Sequence, residues 1–148
     1  AGFVQDNVAC EGKTRCDMVL EELSSGQRFG ISEERGRHAR GCMLDVDELL
    51  RAVTRAMAGL DAGVDLVVVN KFGKTEAEGG GFGPLIAESV SRGVPVLIGV
   101  PVRNLAAWRE FSGEFASEHA IEQLSGDSAT VLVRLGITAA APIASAAA

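Results

Sequence analysis

The apolar residues change period along the chain. Leu49, Leu50, Val53, Met57 and Leu60 recur at three- and four-residue spacing, the stripe of an amphipathic helix. Asp45 or Asp47 stands before it as an N-cap, and Gly63 closes it. Asp65–Val69 is then a continuous apolar run, as a strand covered on both faces requires. A helix is expected from about Pro84 to Arg92, with Pro84 near the first helical position, where a missing N–H costs little. Val94–Val100 reads as a second buried strand. Asn104–Phe111 reads as a helix with Leu105, Trp108 and Phe111 on one face, and His119–Leu124 as a short edge strand. Asp127 or Ser128 caps a last helix ending near Leu135.

The first forty-odd residues have a different rhythm. Gly2–Val8 and Thr14–Glu22 are segments that can pair across "ACEGK". The "SSGQ" turn at Ser24–Gln27 leads on to Arg28–Ser32, and Gly26 can supply the positive φ such a turn needs. Together they predict a small antiparallel hairpin or meander. Glu33–Gly41 is polar and punctuated by glycine, and is expected to be a loop. The alternation of helices and strands after it predicts an α/β fold, a mainly parallel sheet flanked by helices. Residues 1–136 are expected to form one domain, and the alanine-rich residues 137–148 a flexible tail. Ligands in such folds bind beyond the C-terminal strand ends. Asn70–Gly83 and Pro101–Asn104 lie there.

Charge and cysteines narrow the classes of function. The net charge is −6 with no basic stripe, and there is no tyrosine, which together argue against a nucleic-acid surface. The three cysteines, Cys10, Cys16 and Cys42, are odd in number and form no CxxC pair, which fits a reducing cytoplasm. No apolar run is long enough to span a bilayer, so membrane insertion is not expected.

The chemistry concentrates in "VDLVVVNKFGKTEAEGGGFG", Val64–Gly83. A phosphate loop needs a glycine five positions before the glycine of Gly-Lys-Thr. For Gly12-Lys13-Thr14 that position holds Asn7, and for Gly73-Lys74-Thr75 it holds Val68, so neither is such a loop. A guanine reader needs a carboxylate where Gly73 stands. The third comparison is a Walker B strand, which ends in an aspartate that helps hold Mg²⁺. Here the strand ends in Asn70, a neutral amide and a poor ligand for a hard cation.

The order of these features resembles the nucleoside-triphosphatase family first described from thermophiles, a compact P-loop fold. Gly73, Lys74 and Glu76 of "NKFGKTE" match its D-E-I-G-K-M-E strand end, Asn70 and Lys71 replace its two acids, and Gly2-Phe3 and Asp17 also fit. A bacterial family of unknown function related to those enzymes is more similar still. Its motifs correspond to Arg15-Cys16-Asp17-Met18, Arg40-Gly41-Cys42, Val69–Gly79, Gly93–Val100 and Arg103-Asn104-Leu105, so the resemblance covers roughly Gly2 to Phe115. It implies a P-loop-NTPase-like fold. Members often lie beside molybdate-uptake genes, which implies oxyanion biology. The related enzymes begin with a strand, a phosphate loop and a helix that this sequence does not contain.

The expected ligand site is Asn70, Lys71, Gly73, Lys74, Glu76, Glu78, Gly79, Arg103 and Asn104. Lys71 and Lys74 would attract phosphate or molybdate. Glu76 and Glu78 would serve as general base or metal ligands, although glutamates in exposed loops are ordinarily just solvated. Gly79-Gly80-Gly81 before a helix would offer N–H groups to an anion, or form only a strand-to-helix turn. Asn104 would complete the site or cap its own helix. Arg15, Cys16, Asp17 and Cys42 form a candidate second site, against the plainer expectation of buried thiols. No metal set is expected: the order Cys16, His38, Cys42 fits no standard zinc pattern. The bound species to consider are Mg²⁺ and a molybdenum oxyanion. The leading reading is a non-catalytic or weakly catalytic binding protein for a nucleotide or inorganic oxyanion. The alternatives are a nucleoside triphosphatase or nucleotide kinase whose Walker A loop lies upstream, and a structural or regulatory subunit in a homo- or hetero-oligomer.

Overall fold

The structure, a computed structural model, describes residues 1–9, 16–33 and 43–137. In chain order its elements are β1 (Gly2–Ala9), β2 (Cys16–Glu22), β3 (Arg28–Gly30), β4 (Ser32–Glu33), β5 (Met43–Leu44), α1 (Val46–Asp61), β6 (Val67–Asn70), α2 (Lys74–Ala77), α3 (Gly83–Ser91), β7 (Val96–Gly99), α4 (Leu105–Ser112) and α5 (Ser128–Arg134). The chain divides into two compact units, Ala1–Phe111 and Ser112–Ala148.

The first unit holds a five-stranded sheet in the order β3-β2-β1-β6-β7. β1 pairs antiparallel with β2, and β2 with β3, whereas β1–β6 and β6–β7 are parallel. The sheet is therefore mixed, not mainly parallel. The antiparallel meander expected at the start of the chain supplies three of its five strands, because Gly2 and Phe3 pair directly with Val68 and Val69. β4 and β5 form a separate two-stranded ribbon that the polar, glycine-punctuated sequence around them does not announce.

One face of the sheet carries the core. Phe3, Leu20, Phe29, Val67 and Val69 meet Leu49, Ala52, Val53, Ala56 and Leu60 of α1 and Leu85 and Ile86 of α3. Full burial of each large apolar side chain is worth about 1.5–3 kcal/mol, so this face holds meander and helices together. The alternate positions Val4, Val19, Val68 and Leu97 are only half-buried. Two expectations of doubly covered strands are corrected here. Val68 is open on one face, and β7 is an edge strand whose Val96, Leu97 and Ile98 are all half-buried. Asp45 caps α1 by accepting the Glu48 N–H at 2.9 Å. Leu50, expected on its buried face, is exposed, while Ala52 and Ala56 face the core instead.

β1 keeps register with β2 from Phe3 to Ala9 but with β6 only at Gly2 and Phe3. The β1–β2 hairpin therefore runs on past the end of β6. Val4 lies level with Asn70, and the Val8–Asp17 pair is four residues further, roughly 13 Å at strand rise.

The turn from β2 to β3 is built on a buried carboxylate. Glu22 is 3% exposed and accepts from the Ser24 and Ser25 N–H groups at 2.9 and 2.8 Å and from the Ser25 hydroxyl at 2.6 Å. Gly26 takes the positive φ that the turn needs. Burial opposes ionisation of Glu22, but the hydrogen bonds from Ser25 and Ser24 outweigh it and hold the carboxyl below its ordinary value of 4.5. A depressed folded-state pKa contributes stability above the unfolded value, and that stability is lost as pH falls through the folded one. Glu22→Gln should therefore cost about 1–3 kcal/mol at neutral pH. Its deficit relative to wild type should shrink as the pH is taken below 4.5. Urea titrations of both proteins across that range check this, and a pH-independent gap would refute it.

In the second unit, Asp127 caps α5 through the Thr130 N–H at 2.8 Å. His119–Leu124 is not a strand. Ile121–Gln123 is a 3-10 turn, and Arg134 donates to the Gln123 carbonyl at 3.3 Å. The alanine-rich tail lies outside the described residues from 138 onward.

Candidate functional site

β6 ends at Asn70, which is exposed and pairs in register with Gly99 at the end of β7. The Asn70–Lys71 peptide is cis. The chain is then fixed at Phe72. Its N–H donates to the Gly99 carbonyl at 2.9 Å, and its own carbonyl accepts from the Asn104 side-chain amide at 2.9 Å. The Phe72 ring is fully buried, with ring centroids 5.2 Å from Trp108 and 5.4 Å from Phe111. These contacts hold the loop after β6 against the one after β7. Asn104 thereby stands against Phe72, the residue after Lys71, and Arg103 precedes Asn104 in the same turn. Asn104 was expected as a helix cap or site residue. It closes a 3-10 turn, Val102–Asn104, and spends its amide on Phe72 rather than on a helix N–H.

Glu76 faces inward. Lys74–Ala77 forms the short helix α2, and Glu76 is only 5% exposed. Its Oε2 accepts the Gly73 N–H at 2.8 Å, the reach-back half of a capping box, and its Oε1 accepts the Phe82 N–H at 3.1 Å. The glycines make room for it. A Cβ on Gly81, whose φ is +53°, would overlap Glu76 Oε1, and one on Gly73 would stand 3.1 Å from Oε2. The N–H groups that might have met an outside anion are largely spent. Gly79 donates to the Glu76 carbonyl, Gly80 to Thr75 and Gly83 to Gly80, at 3.0, 2.9 and 2.8 Å. The glycine-rich stretch thus folds around the protein's own carboxylate, set where a helix N-terminus favours negative charge.

The remaining charges are at the surface. Lys74 and Glu78 pair with each other at 3.5 Å across one exposed helical turn, while Lys71 is half-buried and Arg103 exposed. Such an exposed pair contributes little to stability. The second candidate group is separate. Half-buried Asp17 sits on the overhanging hairpin, Cys16 is known only as a β2 backbone position, and Arg15 and Cys42 lie outside the described residues. Among the described residues no cluster of three or more His, Cys, Asp or Glu side chains could hold a metal. Sequence reasoning missed Phe72 and the Phe82 N–H. The signal for Phe72 was an aromatic set between polar residues directly after a strand.

A family model described as a protein of unknown function, DUF2478, matches residues 1–127. The chain belongs to the DUF2478 family. This DUF2478 chain is also 34% identical over 112 residues to "Molybdenum import ATP-binding protein ModC 2" of Bradyrhizobium diazoefficiens. That match covers 76% of the DUF2478 chain but only 12% of the relative. No solved structure matches it. Among its described residues no helix is long and apolar enough to cross a membrane.

Proposed function

We propose that the chain is a cytoplasmic, bacterial, non-catalytic or weakly catalytic binding module for a nucleotide or inorganic oxyanion, related in fold to P-loop NTPases. Its site lies at the C-terminal ends of β6 and β7. Asn70, Lys71, Lys74 and Arg103 would meet the ligand, while Gly73, Glu76, Gly79 and Asn104 shape the loops and Glu78 moderates Lys74. The observation that carries this is the bond from the Asn104 amide to the Phe72 carbonyl. It joins the two strand-end loops, and Lys71 and Arg103 each adjoin a partner of that bond in sequence, so both would flank the amide of Asn70 where open α/β sheets bind ligands.

The likeness to a molybdenum import ATP-binding protein supports the same chemistry. The matched residues are a small fraction of that relative. Both Gly-Lys-Thr sequences here lack the phosphate-loop glycine, with Asn7 and Val68 in its place. Both facts favour a ligand-sensing or regulatory part over the part that hydrolyses ATP.

Thermal-shift measurements with molybdate, tungstate, phosphate, ATP and GTP test the reading, since a ligand that binds only the folded state stabilises by RT ln(1 + [L]/Kd). Lys71→Ala and Arg103→Ala should each raise the Kd about tenfold, the equivalent of one lost charge-assisted hydrogen bond. Lys74→Ala should weaken binding less, because Glu78 already shares its charge. Unchanged affinity in all three variants would reject this site. No shift with any of the compounds would favour a docking subunit.

A further inference from the structure

The donor set at the strand ends decides between the two ligand classes. Magnesium keeps a near-octahedral shell of oxygens, held through one or two carboxylates together with substrate phosphates. The end of β6 is the amide of Asn70, not a carboxylate. Glu76, the nearest acid in the motif, has both oxygens engaged by backbone N–H groups from inside the fold. It cannot turn outward without leaving the Gly73 and Phe82 donors unpaired in a buried place. Glu78 lies in the exposed turn with Lys74 at 3.5 Å, so the one outward carboxylate of the motif carries a cation beside it. Asp65 precedes the opposite end of β6, and Asp17 lies roughly 13 Å along the overhanging hairpin. Magnesium therefore does not fit the residues present. What remains there is the exposed amide of Asn70, half-buried Lys71, exposed Arg103, and Lys74 paired with Glu78.

From this we infer that the site takes a metal-free tetrahedral oxyanion of the phosphate, sulfate or molybdate type, and not a magnesium-nucleotide. The inference rests on the strand-end binding site proposed above and narrows its ligand. An amide donates an N–H to an oxyanion oxygen, while a lysine and an arginine supply the positive charge that magnesium would otherwise bring. The inward Glu76 offers a cation no oxygen, because the Gly73 and Phe82 N–H groups hold both.

Calorimetric titration of the whole chain tests this with molybdate, tungstate, phosphate, sulfate and ATP, each in excess magnesium and again in EDTA. At least one oxyanion should bind with the same Kd in both buffers, and ATP should gain nothing from magnesium. Binding of ATP that requires magnesium overturns the inference and leaves the strand-end site standing. No binding of any compound overturns the site itself, and the inference with it. Asn70→Asp supplies the second reading. The residue is exposed, so the melting temperature should hold while the oxyanion Kd rises about tenfold, as expected for a like charge beside the ligand. An oxyanion Kd untouched by both Asn70→Asp and Lys71→Ala places binding elsewhere and overturns the inference.

Discussion

Gly2→Ala should be the most damaging single methyl group in this protein, with an expected loss of about 4 kcal/mol or more. Gly2 is buried with φ +112°, and a Cβ there would lie on the backbone of Val68 in the neighbouring parallel strand. Two costs add. The left-handed backbone disfavours any side chain. The obstacle is also main chain, which cannot turn aside as a side-chain tip can. β6 has little freedom to withdraw, because Val67, Val68, Val69 and Asn70 are all in register with β7. Domains are stable by only about 5–15 kcal/mol, so a loss of this size takes much of the reserve. Urea unfolding followed by circular dichroism measures it. A midpoint within error of wild type would mean that β1 does not pair with β6 as described.

The second large effect is expected at Glu76. Glu76→Ala removes the acceptor of the Gly73 and Phe82 N–H groups. A buried donor left unpaired costs about 1–3 kcal/mol, and of the two the Phe82 N–H is buried and the Gly73 N–H partly so, so a loss of roughly 2–4 kcal/mol is expected. Gly81→Ala should also destabilise, because its methyl group would displace the same carboxylate. The two changes share one cause and should not add. In Glu76→Ala/Gly81→Ala the clash with the carboxylate is gone, leaving the backbone strain at φ +53° and a tight 3.3 Å approach to Thr75 Cγ2. The double variant should therefore be more stable than the sum of the single losses predicts. Strict additivity would show that Gly81 is needed for its backbone alone, with no part in housing Glu76.

Much of the fold was legible in the residues. The stripe through Leu49, Val53 and Leu60 and the cap at Asp45 mark α1. Gly26 marks its turn, and the pairing of the first two segments follows from their separation by a short polar stretch. Local signals carry all of these. Strand partners in space are not local. Nothing in Gly2-Phe3 states that its neighbour is Val68-Val69 more than sixty residues away, so the sheet's mixed character stayed hidden. Burial misled for the same reason. "VPVLIGV" is as apolar as an inner strand, yet topology puts it at the edge.

The candidate site was legible as a stretch but not as an arrangement. Residue types drew attention to Asn70, Lys71, Glu76 and Arg103, and chain order put them near strand ends. The direction of Glu76 depends on where the Phe82 N–H returns after the glycines. Spacing alone cannot reveal that. Asn104 has the composition of a cap, and only tertiary packing gives its amide to Phe72.

The narrow join between β1 and β6 has a consequence for amide exchange with solvent. Among the described residues β1 and β6 pair in two rows, extended by the bonds of Ala1 to Leu66 and Val68, whereas β1 and β2 share seven. Sub-global openings follow such boundaries. The amides of Val67–Asn70 should thus exchange through a cheaper opening than those shared by β1 and β2. Because Phe72 and Gly73 belong to the same side of that boundary, a ligand at the strand ends should slow their exchange while leaving the β2–β3 amides at their own rate.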